Sequence, residues 1–228
     1  VGELEGEATE FLAMCGNLRK LDVSKCEKLT GELPVHLLKL FFDGKAKFDG
    51  CGKGAFTLPP EFGTVIEDRT KIDLSSLGKA LASCDVSVFE QANNLEEFNV
   101  SGCTEIKGEL PRNLIKLIGE GKAKFDGCSA GAFTLPEAMR GTSLADLKSK
   151  HGFSAGLCVA MGFSAKNLKE AGFSSKELIA AAFSPEDVAT AFNKRQMKHK
   201  DRKNKKGQRI FCEGKLGTIT DTGTNSDY

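Results

Sequence analysis

Tryptophan is absent from this chain and tyrosine occurs once, as the final residue Tyr228. The two ring types that most often anchor a protein contact are therefore missing from the body of the chain. Histidine occurs three times, at His36, His151 and His199. The three fall on different elements, with no partner at ligand or triad spacing, so no Ser-His-Asp or Cys-His constellation can be built. We expect no enzyme and no catalytic residue. No cysteine pair has the C-x-x-C spacing of a zinc or dithiol site, and no metal or other cofactor is expected. No apolar run approaches the length of a membrane-crossing helix, about 18 residues or more. Lys plus Arg number 32 against 31 Asp plus Glu, a net charge of +1, so neither sign dominates the whole. The chain starts at Val1 without an initiator Met, from which we expect a processed or partial chain whose targeting signal cannot be read.

What the chain does contain is repetition. Residues 17–59, from NLRKLDVSKC to GAFTLP, recur without a gap as 94–136, shifted by 77 positions with 26 of 43 identical. A finer period lies inside. The strand-like runs LRKLDVSKC, KAKFDGC, TKIDLSSL, LEEFNVSGC and KAKFDGC end at Cys26, Cys51, Leu77, Cys103 and Cys128, with gaps of 25, 26, 26 and 25. Leu-Pro follows in four of these units, at Leu33-Pro34, Leu58-Pro59, Leu110-Pro111 and Leu135-Pro136. Alternate residues such as Leu21 and Val23, Ile72 and Leu74, or Phe98 and Val100 point to one side of a strand. One winding cannot enclose them; stacked windings can, given caps at the ends.

The fullest unit, L-x-x-L-x-V-x-x-C-x-x-L-x-G-x-L-P over Leu18–Pro34, resembles the plant-type leucine-rich repeat, which also occurs in algal and protist proteins, with Cys where Asn more often sits. The resemblance covers about residues 10–140. It implies an α/β solenoid with a parallel sheet: five coils within 1–140, with 1–17 as a cap. In that frame Cys26, Cys51, Cys103 and Cys128 form one column of small core residues. Gly50, Gly102 and Gly127 let the chain turn off the strand. Reduced cysteines suit an intracellular, reducing compartment, cytoplasm or organelle; a ladder disulfide is the alternative.

A second array follows over 141–192. GFSAGLCVAM, GFSAKNLKEA, GFSSKELIAA and AFSPEDVATA repeat every ten residues from Gly152, after the degenerate copy TSLADLKSKH. Ser154, Ser164, Ser174 and Ser184 are expected as N-caps, two of them followed by Glu177 and Asp187. Gly162 and Gly172 are expected just past helix ends. Each helix is too short to stand alone, so Phe153, Phe163, Phe173, Phe183 and Phe192 are expected to pack along one seam as a small helical array on the end of the coils. The unit resembles Gly-Phe-Ser-Ala-x-x-Leu decapeptide arrays of algal and protist proteins, which implies no chemistry.

Residues 193–208 read as a basic linker. Its candidate anion-binding residues are Lys194, Arg195, Lys198, Lys200, Arg202, Lys203, Lys205 and Lys206, which could meet nucleic-acid phosphates or an anionic membrane surface. Residues 209–228 alternate as a hairpin similar to the first of an SH3-like barrel; because a lone hairpin is marginal, we expect the chain to continue or the hairpin to lean on something else. Gly50-Cys51-Gly52-Lys53-Gly54 lacks the Ser or Thr of a phosphate loop.

The outward strand positions line the expected concave face. The candidate binding residues there are Lys20, Asp22, Lys45, Lys47, Lys71, Asp73, Glu97, Asn99, Lys122 and Lys124, with Ser24, Asp49, Ser75, Ser101 and Asp126 along the third column. This leads to a non-catalytic protein-interaction scaffold or structural linker in a larger assembly. Two alternatives are a nucleic-acid-associated factor using 193–209, and a peripheral subunit of an algal organellar, possibly photosynthetic, membrane complex.

Overall fold

The computed structural model describes residue 12, residues 14–192, and the backbone of three short strands between 209 and 225. The chain divides into two compact bodies, Val1–Ala191 and Phe192–Tyr228. The basic segment 193–208 lies outside the described residues.

Ten strands of two to four residues run through the first body: β1 (Leu21–Asp22), β2 (Gly31–Glu32), β3 (Ala46–Lys47), β4 (Phe56–Thr57), β5 (Lys71–Asp73), β6 (Cys84–Asp85), β7 (Glu97–Asn99), β8 (Ile106–Glu109), β9 (Ala123–Lys124) and β10 (Phe133–Thr134). Each sequence repeat supplies two of them. The odd-numbered strands pair as β1-β3 and β5-β7-β9, the even-numbered as β2-β4 and β6-β8-β10. Every pair is parallel, with Leu21 opposite Ala46, Ile72 opposite Phe98, and Phe98 opposite Ala123. The helices of this region are α1 (Val35–Phe42), α2 (Phe62–Ile66) and α3 (Arg112–Gly119). In α1 and α3, Leu37, Leu38 and Phe41, and Leu114, Leu117 and Ile118, form the buried stripe, at the i, i+3, i+4 spacing of a core-facing helix.

Strands end early because side chains cap them. Asp22, Asp73 and Asn99 each accept from the backbone N–H two residues on, at Ser24, Ser75 and Ser101, over 3.0–3.1 Å. The residue before the ladder cysteine then enters the left-handed region: Gly50, Gly102 and Gly127 have φ of 77°, 78° and 75°, and Lys25 holds the same place at 66°.

Phenylalanine fills the interior. Rings follow one another as Phe56, Phe48, Phe41, Phe42, Phe62, Phe89, Phe98, Phe125 and Phe133, with centroid separations of 4.9–6.3 Å. Edge-to-face and tilted contacts at that range add to the gain from burial.

Five helices close the first body: α4 (Leu144–His151), α5 (Ala155–Ala160), α6 (Ala165–Glu170), α7 (Ser175–Ala180) and α8 (Pro185–Phe192). Ser143, Ser154, Ser164 and Ser174 accept from the N3 backbone N–H as N-caps, with full capping boxes at Ser164–Asn167 and Ser174–Glu177, and Asp187 N–H donates to Ser184 Oγ in the same way. The array rests on the fifth repeat. Gly152, at φ 67°, lies so close that a Cβ there would sit 3.0 Å from the Ile118 carbonyl oxygen.

One seam of rings is not what packs the array. Phe153 and Phe173 are buried, whereas Phe163, Phe183 and Phe192 are only half-buried. Helices touch their next-but-one neighbours, α4 with α6 and α5 with α7, so successive rings face alternate environments. The buried file is aliphatic instead: Leu147, Leu157, Leu168, Leu178 and Val188. Lys148 pins the rows together, donating from Nζ to the Gly172 carbonyl at 2.8 Å, pairing with Glu177 at 3.1 Å, and lying 4.2 Å over the Phe173 ring.

In the second body, β11 (Arg209–Cys212), β12 (Lys215–Thr220) and β13 (Thr224–Asn225) form an antiparallel sheet, one strand more than the expected hairpin. The whole is a mixed α/β fold of short parallel strand pairs and helices. Among the described residues no helix is long and apolar enough to cross a membrane.

Among the described residues two non-glycines have positive φ, Lys25 and Ala182 at 66° and 64°, and both stand where sister repeats carry glycine. Lys25→Gly and Ala182→Gly should each raise stability by about 1 kcal/mol in chemical denaturation, the reverse of the usual glycine penalty. A second expectation concerns acid. The backbone N–H of Ser174 foremost, then its hydroxyl and Lys148, hold the Glu177 carboxyl below its usual value despite partial burial. A carboxyl lowered by folding stabilises fully above its unfolded pKa and loses that contribution as pH falls through the folded one. Glu177→Gln should flatten the acid limb of a melting-temperature profile.

Candidate interaction face

The odd-numbered strands carry the residues expected to face a partner. Lys20, Asp22, Lys45 and Lys47 lie on or beside β1 and β3, while Lys71, Asp73, Glu97, Asn99, Lys122 and Lys124 lie on or beside β5, β7 and β9. All are exposed except Asp73 and Asn99, which are half-buried. Between them Ala46, Phe48, Ile72, Leu74, Phe98 and Val100 point inward and are buried. The pleat thus separates a charged sheet surface from an apolar one.

Three of the six lysines on that surface are in ion pairs. Lys71 Nζ is 2.8 Å from Glu97, Lys122 is 2.9 Å from Glu120, and Lys45 is 3.7 Å from Asp43. The hydrogen bond to Glu97 raises the Lys71 pKa and lowers that of Glu97 in return. Asp22 stands opposite Lys47 in the β1-β3 register; its carboxyl is lowered first by hydrogen bonding to Ser24, with Lys47 and Lys20 adding to this. Burial pushes Asp73 upward, but the hydroxyl and N–H of Ser75, with Asn99 and Lys71, together leave the carboxyl below normal. Asp22, Asp73 and Asn99, expected to face a partner, thus spend an oxygen on closing their own strand ends.

The expected sheet is not continuous. β3 and β5 belong to separate sheets, although the even-numbered ladder still joins those repeats through the bridge between Phe56 and Leu81. Between β3 and β5 lies a cleft of about 700 Å³, lined by Phe41, Phe42, Ala46, Lys47, Val65, Asp68, Arg69, Lys71, Asp73, Ser75 and neighbouring residues. A smaller groove of about 260 Å³ lies over Lys71, Asp73, Glu97, Asn99, Lys122 and Lys124. The face therefore splits, with the Lys20–Lys47 patch on one side of the cleft and the other six residues on the far side.

Arg69 is the residue the sequence reading missed. Its guanidinium lies 3.3 Å from Asp43 and 4.9 Å from the Phe42 ring centroid, bracing the mouth of the cleft. The signal was present in EDRTKIDLSSL, where the third repeat departs from the DGKAKFDGC and EGKAKFDGC of the second and fifth.

The cysteine column is packed as expected, with one exception. Cys51, Cys103 and Cys128 are buried, and their thiols donate to the carbonyls of Val23, Leu74 and Val100 in the preceding repeat at 3.3–3.4 Å. Cys26 is only half-buried, because its repeat begins the file. The seven described cysteines are free thiols. Among the described residues no group of three His, Cys, Asp or Glu could hold a metal. The candidate anion-binding residues Lys194–Lys206 lie outside the described residues. No family model, curated protein or solved structure matches the chain.

Burial pushes the Cys103, Cys128 and Cys158 thiols up to about 12 and raises Cys51 as well. Near the ordinary thiol value of about 8.5, iodoacetamide should label half-buried Cys15 and Cys26 first, and those four only on unfolding. Peptide-mapped alkylation checks the order.

Proposed function

We propose that residues 18–136 wind as a solenoid of the leucine-rich-repeat kind and that the chain is a non-catalytic scaffold for protein partners. The observation that carries this reading is the split across the odd-numbered strands. Each offers alternate buried apolar residues and outward Lys, Asp, Glu or Asn, in a register kept from one paired repeat to the next. The offsets of 25 and 26 residues in those pairings follow the sequence period, which supports winding. The matched ion pairs on the outward side suit orientation of a partner more than tight apolar anchoring. Asp22 and Asp73 there cap turns, and Lys71 with Glu97 and Lys122 with Glu120 neutralise one another, which supports a role without catalysis.

Lysine cross-linking followed by peptide mapping tests the reading in the native preparation. Intermolecular cross-links should concentrate on Lys20, Lys47, Lys122 and Lys124, and Lys47→Glu with Lys124→Glu should remove them without changing the circular dichroism. Cross-links confined to other lysines would overturn it.

A further inference from the structure

The cleft between β3 and β5 is a gap in a hydrogen-bonded ladder, and the free groups at its edges can be named. In a parallel pair, alternate residues turn both N–H and C=O to the same neighbour. Leu21 N–H donates to the Lys45 carbonyl and Val23 N–H to that of Lys47, so Lys45 and Lys47 serve β1 and Ala46 turns its own N–H and C=O to the cleft. On the other side, Leu74 N–H donates to the Asn99 carbonyl and Glu97 N–H to that of Thr70, so Lys71 and Asp73 turn theirs to the cleft. The 26-residue offset of the sequence period would close the gap with Ala46 N–H to Lys71 C=O, Asp73 N–H to Ala46 C=O, and Phe48 N–H to Asp73 C=O. None of these bonds forms, since β3 and β5 lie in separate sheets.

Several joins hold these repeats together away from the gap, among them Phe62 on Phe89 at 5.8 Å and Gly54 N–H to the Lys79 carbonyl at 2.9 Å. On one side, Arg69 grips Asp43 and the Phe42 ring, and Phe42 meets Phe62 at 6.3 Å, the longest link in the ring file. On the other, Phe56 bridges Leu81, and Ala82 N–H donates to the Phe56 carbonyl at 2.6 Å. The space left, about 700 Å³, falls within the range of pockets that receive ligands, roughly 300–1,000 Å³. Three of its charged side chains are engaged, Lys71 by Glu97, Arg69 by Asp43 and Asp73 by Ser75, and the other two, Lys47 and Asp68, are of opposite sign. What it leaves unsatisfied is main chain, presented along two facing edges.

We propose that this cleft takes an extended segment of a partner polypeptide, bound by strand addition to the β3 and β5 edges. An apolar side chain of the segment sits against Phe41, Ala46 and Val65, which line the same space. A nucleic acid or a phosphorylated ligand would need a clear excess of cationic groups, whereas Lys47, Arg69 and Lys71 here stand with Asp68 and Asp73 in the lining and with Asp43 and Glu97 as ion-pair partners. The inference rests on the scaffold reading and gives it a location and a chemistry.

Amide hydrogen exchange tests the edges first. In the isolated protein the amides of Ala46, Phe48 and Asp73 should exchange at least about tenfold faster than those of Val23 and Val100, whose ladder bonds are made. Equal protection would mean a closed gap and would sink the proposal without any substitution. Selection from a displayed library of random linear peptides then supplies a probe. The best synthetic peptide should protect those three amides, and Ala46→Pro, which removes a cleft-facing donor and leaves the β1 bonds intact, should weaken it about tenfold. A library that yields no binder, or a binder indifferent to Ala46→Pro that leaves the amides exposed, overturns the cleft inference. Cross-links on the outward lysines with an unaffected Ala46→Pro variant would leave the scaffold reading standing while removing this one.

Discussion

The file of phenylalanine rings is the constraint on which the strand-pair region depends. A repeat with strands of two to four residues has almost no internal stability; its rings are sheltered by rings of the same repeat and of adjacent ones. Phe48 packs on Phe56 in its own repeat, and Phe89, Phe98 and Phe125 reach across three repeats. Removing one ring would expose its neighbours as well as itself, so the energetic cost spreads along the file. The thiol-to-carbonyl bonds of Cys51, Cys103 and Cys128 serve the same end at the turn, satisfying a buried carbonyl with a side chain small enough to leave the rings in place.

That dependence explains where the fold relaxes. The two copies of the duplicated block each keep their own strand pair, β1 with β3 and β7 with β9. The third repeat is the joint between them and follows neither copy's wording. It sides with the second copy through β5, and it meets the first through Arg69, through the Phe42–Phe62 contact and through the single bridge at Leu81. The interruption of the odd-numbered ladder is therefore a property of the junction between copies, while the interior stays closed behind it.

Much of this was legible beforehand and some was not. The short strands, their parallel offset and the inward residues followed from the 25- and 26-residue period, because alternation and repetition leave few ways to bury Ile72, Leu74, Phe98 and Val100 together. Ser154, Ser164, Ser174 and Ser184 read as caps from local chemistry alone, since a helix start needs only its own turn. Three things depended on longer-range geometry. The Phe file joins residues from different positions within the repeat, so no fixed spacing announces it. The zigzag of the decapeptide helices sets Phe153 and Phe173 inside while Phe163 and Phe183 stay half-exposed, although all four occupy the same place in the repeat. The cleft arises from bonds that do not form, and Arg69, which braces it, stood in the text only as a departure from the pattern.

The decapeptide helices lie along the fifth repeat, with Gly152 near Ile118, Gly156 near Asp126 and Gly162 near Gly131. They cover that end with polar helix surface, where an uncovered strand edge would invite another chain to pair.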